Sequence, residues 1–380
     1  MAAPGMAPIP VDLELGSSTM AGATDALLSA MLQAAEGVSD LIFSPGRPPQ
    51  VEIHGQLVPV AVPRLPALTA DHTRHIASDL IGNNKQAIST LREQGACDVS
   101  YSLPGKSRFR VNVFIQRGSC AVVMRVIPTV IPQLASLGLP PVLSEIADLK
   151  QGIVLVTGAV GTGKSSTIAA IVDYINERYP YHIITIEDPI EFLHNHKRAT
   201  IHQREVHSDS PTMSLALRAA LRQSPKVIVI GEIRDRETTE IVLDAAETGH
   251  LVISSMNTID GAKTVDRIVG AFLPAEQWGV RARLAKSFRW IVSQRLLARA
   301  DGKGRVPAVE IVKANAHTRQ WVEDGDQEGK TLLDCLHAGS AEGMQSFDAE
   351  IEKLARAGIV DLDTALSYAT NSSHLRQILS

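Results

Sequence analysis

Gly158-Ala159-Val160-Gly161-Thr162-Gly163-Lys164-Ser165 matches without a gap the pattern of two glycines with four residues between them, followed by Lys and a hydroxyl. The apolar run Ile153 to Val156 precedes it, and a helical stretch from Ser165 to Asn176 follows. This is the strand, loop and helix setting that a phosphate-binding loop requires. Glycines let the backbone curl until its N–H groups face the phosphates, and the helix N-terminus adds partial positive charge there. Lys164 is expected on the β- and γ-phosphates of ATP, Ser165 on Mg²⁺, and Ser166 beside them at the start of the helix.

Outward from the loop, buried strand runs alternate with helical stretches, which predicts a mostly parallel α/β sheet covered on both faces. The strand candidates are Ile153–Val156, Ile183–Ile186, Val227–Ile230 and Leu251–Ser254. The last hundred residues read as mainly helical. Upstream, residues 21–127 read as a second, smaller α/β unit. It holds a helix from Ala21, a hairpin turning at Gly55, helix over 71–94, and two strands in 107–127 joined by Arg117-Gly118-Ser119. Between the units, residues 128–149 carry Pro128, Pro132, Pro140 and Pro141 and read as a stiff, extended linker. Residues 1–20, rich in Pro, Ala and Gly, read as a mobile tail. The ATPase unit is expected over 150–380.

The 380 residues carry 37 Lys and Arg against 41 Asp and Glu, a net charge of −4. That balance argues against a dedicated nucleic-acid binder. The three cysteines are Cys97, Cys120 and Cys335, and they form no CxxC pair, so neither a zinc site nor a disulfide framework is expected. No run approaches the roughly 20 apolar residues of a membrane span, and the first residues do not read as a signal peptide. A soluble, cytoplasmic protein is the expectation.

ATP hydrolysis needs a carboxylate to activate water and another to support the metal. Thr185-Ile186-Glu187-Asp188-Pro189-Ile190-Glu191 follows one buried strand, and Gly231-Glu232 follows another, at the carboxyl edge where α/β sheets bind ligands. The second reads as a Walker B strand with glycine in the usual Asp position. Glu191 and Glu232 are the acids expected to act. Asp235 and Glu237 fit equally well as a helix cap and a solvated charge.

In these residues the chain resembles the secretion ATPases of type II secretion and type IV pili, and among them the pilus retraction (twitching-motility, PilT-type) ATPases. The resemblance runs from about residue 24 and rests on TIEDPIEF (185–192), QREV (203–206), ALRAALRQSP (216–225), VIVIGEIRD (227–235), AAETGHLV (245–252), RIVGAFLP (267–274), VSQRLL (292–297) and GMQSFDAEI (343–351). It implies a PAS-like N-terminal domain linked to a RecA-like ATPase domain with C-terminal helices. It implies Glu191 as the base that polarises water, and Glu232 as support for Mg²⁺ and the γ-phosphate. It places Arg110 and Arg125 as arginines contributed to bound nucleotide, although an edge hairpin also carries arginines simply as surface charge.

The resemblance also implies a homohexamer attached peripherally to the inner-membrane pilus machinery, driving a platform protein. The longer N-terminus and tetracysteine insert of the assembly ATPases are not found in these residues, which favours retraction. Two positions depart from the family pattern. The His box keeps His250 but reads Met256-Asn257-Thr258 in place of Leu-His-Thr, and the C-terminal element reads Ala316 to Glu323, AHTRQWVE. Asn257 is expected near the γ-phosphate, able to donate but not to carry charge. A second reading follows from it: an accessory paralogue that joins or regulates a sister retraction ATPase without driving the ring.

Overall fold

The computed structural model describes residues 8–11, 20–63, 65–128 and 130–379 and divides into two compact units, Met1–Thr129 and Val130–Ser380. The first unit contains strands β1 (Ile9–Pro10), β2 (Val38–Phe43), β3 (Gln50–Ile53), β4 (Gln56–Ala61), β5 (Ala96–Leu103), β6 (Ser107–Gln116) and β7 (Ser119–Ile127), with helices α1 (Met20–Gln33), α2 (Ala70–Ile81) and α3 (Lys85–Gln94). The sheet order is β1-β4-β3-β2-β7-β6-β5, antiparallel except where β1 runs parallel to β4.

Arg117 and Gly118 both take positive φ, 47° and 76°, the mirror-image turn whose twist suits a two-residue hairpin. Alternation along β6 and β7 sends Phe109, Val111, Val113, Val122 and Met124 into a core with Leu27, Leu28 and Met31 of α1. The opposite face carries Arg110 and Arg125. Most of the expected N-terminal tail lies outside the described residues. Where it is described the expectation fails, because Ile9 and Pro10 add the edge strand β1 and Val11 is buried in the core.

The second unit holds a seven-stranded sheet ordered β10-β9-β11-β12-β8-β13-β14. Its elements in chain order are β8 (Gly152–Gly158), α4 (Lys164–Arg178), β9 (His182–Glu187), β10 (Thr200–Glu205), α5 (Met213–Ala220), β11 (Val227–Ile230), α6 (Arg236–Glu247), β12 (Leu251–Met256), α7 (Gly261–Gly270), α8 (Pro274–Ser287), β13 (Phe288–Ala298) and β14 (Arg305–Lys313). Helices α9 (Ala316–Asp324), α10 (Leu332–Ala338), α11 (Phe347–Arg356), α12 (Leu362–Tyr368) and α13 (Ser372–Leu379) follow. Only β14 is antiparallel to its neighbour. Every residue of β8 is buried. Ile153 and Leu155 join the core under α5 to α8, whereas Val154 and Val156 join that under α4, so the sheet is covered on both faces.

Two expectations are corrected in this unit. The stretch Val292 to Leu297, placed among C-terminal helices, is strand: it lies in β13, hydrogen-bonded between β8 and β14. Ser293, Gln294 and Arg295 interrupt the apolar residues of this stretch, so it shows neither the continuous apolar run of a buried strand nor a clean alternation. The proline-rich segment after residue 128 is not an extended linker. It forms 3₁₀ turns at Leu134–Leu137 and Pro141–Asp148, and Leu139, Leu143 and Ile146 are buried in the core beneath α4. Proline at the first position of a turn starts a helical segment as readily as an extended one, and burial of three apolar side chains decides between them.

One buried acid sets a pH dependence. Glu310 on β14 is 7% exposed and accepts the N–H of Gly261 at 2.7 Å. Burial pushes its pKa up to about 7, with Asp260 adding to that push and the Gly261 N–H, Arg295 and Ser293 opposing it. The folded state therefore holds the proton more tightly than the unfolded chain, and ionisation costs stability as pH rises from about 4.5 to about 7, by about 3 kcal/mol at most. Glutamine keeps the acceptor and does not titrate. The melting temperature of Glu310→Gln relative to the parent should therefore climb between pH 5 and pH 8, by several degrees. A constant difference across that range would show that Glu310 does not titrate there.

Candidate functional site

Strands β8, β9, β11 and β12 are parallel, so their carboxyl ends share one edge of the sheet. That edge receives the phosphate loop, the acids after β9 and β11, and Asn257 after β12. Gly158, Gly161 and Gly163 take φ of 148°, 82° and 91°, conformations that other residues rarely adopt. A Cβ on Gly158 would fall 2.5 Å from Thr162 Oγ1 and 2.6 Å from the Gln294 carbonyl oxygen. The turn therefore closes only around glycine. Beyond it α4 begins at Lys164, with Ser165 and Ser166 half-buried in its first turn, while Ala159 and Val160 stand out in solvent.

The Lys164 ammonium donates to the Gly158 and Ala159 carbonyls, both at 2.9 Å. Burial lowers its pKa, while the charges of Glu232 and Glu191 hold it up. The lysine thus feels both acids, which brings residues from three parts of the sequence to one place.

The acids are held differently. Glu232 is clamped on both oxygens: Asn257 Nδ2 donates to Oε1 at 2.7 Å and Arg234 Nε to Oε2 at 2.7 Å. Arg234 also lies 3.8 Å from Asp188, joining the two acidic clusters. The Glu191 side chain is exposed. Glu187 is instead enclosed by hydrogen bonds from Thr185 Oγ1 at 2.6 Å, Gln203 Nε2 at 3.1 Å and the Glu191 N–H at 3.3 Å. Burial raises its pKa, and the hydrogen bonds only partly counter this. Gly231 lets the Walker B turn lie against this loop. A Cβ there would stand 3.4 Å from Glu187 Cα, in van der Waals contact with this loop.

The remaining candidates sort by position. Asn257 stands at the end of β12 as expected, but its amide is spent on Glu232, a role that a separation of 25 positions hid from the sequence reading. His250 is not brought to the site. It precedes β12 at the opposite edge, where its carbonyl accepts the Gly152 N–H at 3.0 Å and its ring faces the Ala245 carbonyl at 2.9 Å. Six strand residues, roughly 20 Å, separate it from Asn257. Asp235 is the N-cap of α6 and Glu237 pairs with Arg218, so both are structural.

In the first unit, Arg110 and Arg125 lie directly opposite one another across β6 and β7, both exposed. Asp40, directly opposite Arg125 on β2, accepts its Nε at 3.0 Å. Reading the sequence also assigned no role to Arg234, Gln203 or Glu205. The QREV string was the signal available for the last two, since residues 203 and 205 share one face of a strand.

The profile of the type II/IV secretion system protein family matches residues 53–348. A twitching motility protein of Neisseria gonorrhoeae is 39% identical over 327 residues, covering 86% of each chain. The type IV pilus ATPase PilU of Pseudomonas aeruginosa is 36% identical over 349 residues, 92% of this chain and 89% of its own. The crystal structure of the pilus retraction motor PilT with bound ADP superposes with a TM-score of 0.81 at 38% identity, over 93% of this chain and 98% of that one. A phosphate loop facing two acids, in a fold shared with a motor that binds ADP, leaves one conclusion: this chain belongs to the type II/IV secretion system protein family and is one of its ATPases.

Proposed function

We propose that this ATPase is a hexameric motor that powers type IV pilus retraction. The observation that carries the reading is the full-length likeness to a twitching motility protein and to the PilT retraction motor, coupled with an intact hydrolytic edge. Glu191 acts as the base that orients water. Glu232, clamped by Asn257 and Arg234, and the Ser165 hydroxyl are the residues that would hold Mg²⁺, which would neutralise charge on the phosphates. Mg²⁺ uses one or two protein oxygens together with phosphates and water, so this donor set suffices.

Arg110 and Arg125 reach the nucleotide of a neighbouring subunit in the ring. Two like charges held directly opposite one another are unfavourable, and Asp40 relieves only one of them. An incoming phosphate would relieve both. Domain movement in each subunit then turns a platform protein in the inner membrane. No helix among the described residues is long and apolar enough to cross a membrane, and the motor docks on the cytoplasmic face.

The test is made on purified protein and in cells together. Turnover per subunit should rise with concentration as six-subunit rings appear by light scattering, and deleting the gene should abolish twitching while pili remain. Full activity as a monomer would end the ring reading, and undiminished twitching would end the retraction reading. The near-equal likeness to PilU supports a second reading, an accessory ATPase working with a sister motor. A deletion that lowers retraction force without abolishing twitching would select it.

A further inference from the structure

Sequence order makes Glu187 and Glu191 look equivalent, two acids on one loop. The structure separates them through strand β10. Gln203 donates from Nε2 to Glu187 Oε1 at 3.1 Å and to the Phe192 carbonyl at 2.8 Å, and its Oε1 accepts the His194 N–H at 2.8 Å. Two residues along the same face, buried Glu205 accepts the Ile190 N–H at 3.0 Å. Glu187 in turn accepts the Glu191 N–H. The backbone from Ile190 to His194 is therefore held at four of its five residues by side chains of β9 and β10, while the Glu191 side chain itself stays exposed.

We propose that Gln203, acting through Glu187, is a positioning residue that sets where the Glu191 carboxylate meets the attacking water. The inference rests on the reading of Glu191 as the base. Gln203 touches no reacting atom. Its amide donates to Glu187 and to the Phe192 carbonyl and accepts from His194, and among side chains only an amide offers two donors and an acceptor at one head.

Gln203→Ala should lower kcat about tenfold to a hundredfold and leave the KM for ATP within about twofold, because binding at the phosphate loop does not pass through this loop. Gln203→Glu sets a second carboxylate against Glu187, so the loop loosens at pH 8 and recovers when one proton is shared between them at pH 6. Its kcat should therefore rise toward acid relative to the parent. The other titratable groups facing this pair are Glu191 and Glu205. His194, which burial holds down to about 4, stays neutral throughout the range.

Gln203→Ala in a Glu191→Gln background should slow turnover no further. Native kcat in Gln203→Ala beside an inactive Glu191→Gln overturns this inference alone, as does a parallel loss in kcat and KM with no acid recovery in Gln203→Glu. Native turnover in Glu191→Gln overturns the base reading, and this inference with it.

Discussion

Lys164→Ala is expected to release no phosphate above background and to bind ATP about ten to a hundred times more weakly than the parent. Removing a charged partner from a phosphate costs about 1.5–3 kcal/mol in binding, and a charge that acts on the transferring phosphoryl group is worth a further 10²- to 10³-fold or so in rate. In this chain the loss is compounded. Lys164 feels the charges of both Glu232 and Glu191, so without it the two carboxylates face an incoming triphosphate with one compensating charge fewer. The fold should survive, because the lysine packs on the loop carbonyls rather than in the core. The measurements are steady-state phosphate release and binding of a fluorescent ATP analogue, with melting temperature as a control. Turnover near the native rate would mean that the loop does not bind the reacting phosphates.

Glu191→Gln is expected to do the reverse to binding. The side chain is exposed and its carboxylate accepts no hydrogen bond from the loop, whose anchors are Glu187, Gln203 and Glu205. The substitution removes one negative charge close to the γ-phosphate, so ATP should bind as tightly or more so. Loss of the base should cost about 10²- to 10⁴-fold in kcat. The protein should then be isolated with ATP rather than ADP bound, which chromatography of the released nucleotide reads directly. If ADP accumulates at the native rate, another group activates water. Glu187 is poorly placed to be that group, since three hydrogen bonds already occupy its carboxylate.

The features that could be read from the sequence are those whose geometry is local. A phosphate loop is eight contiguous residues with a strand before and a helix after, and Gly158, Gly161 and Gly163 mark its backbone conformation directly. The four parallel strands were legible because a strand buried on both faces must be apolar throughout. The hairpin at Arg117-Gly118 was legible from its turn chemistry. The rule for buried strands missed Val292 to Leu297, where a strand between β8 and β14 carries Ser293, Gln294 and Arg295 and so is not apolar throughout. The sequence misled after Pro128, where proline marks the start of a turn as well as an extended segment.

By itself, then, the sequence determined the phosphate-loop motif with the strand before it and the helix after it, the four apolar strands of the parallel sheet, and the acids that follow β9 and β11. The tertiary structure alone decided how those acids differ. Asn257 reaches Glu232 only because β11 and β12 lie parallel and in register, and Gln203 reaches Glu187 only because β10 does so beside β9. His250 is carried to the opposite edge by the same geometry, six strand residues from Asn257 although only seven apart in sequence. Asp40 meets Arg125 across two strands that are 85 residues apart. Each of these contacts is fixed by strand register, which depends on how whole elements bury their apolar faces, and no short string of residues encodes it.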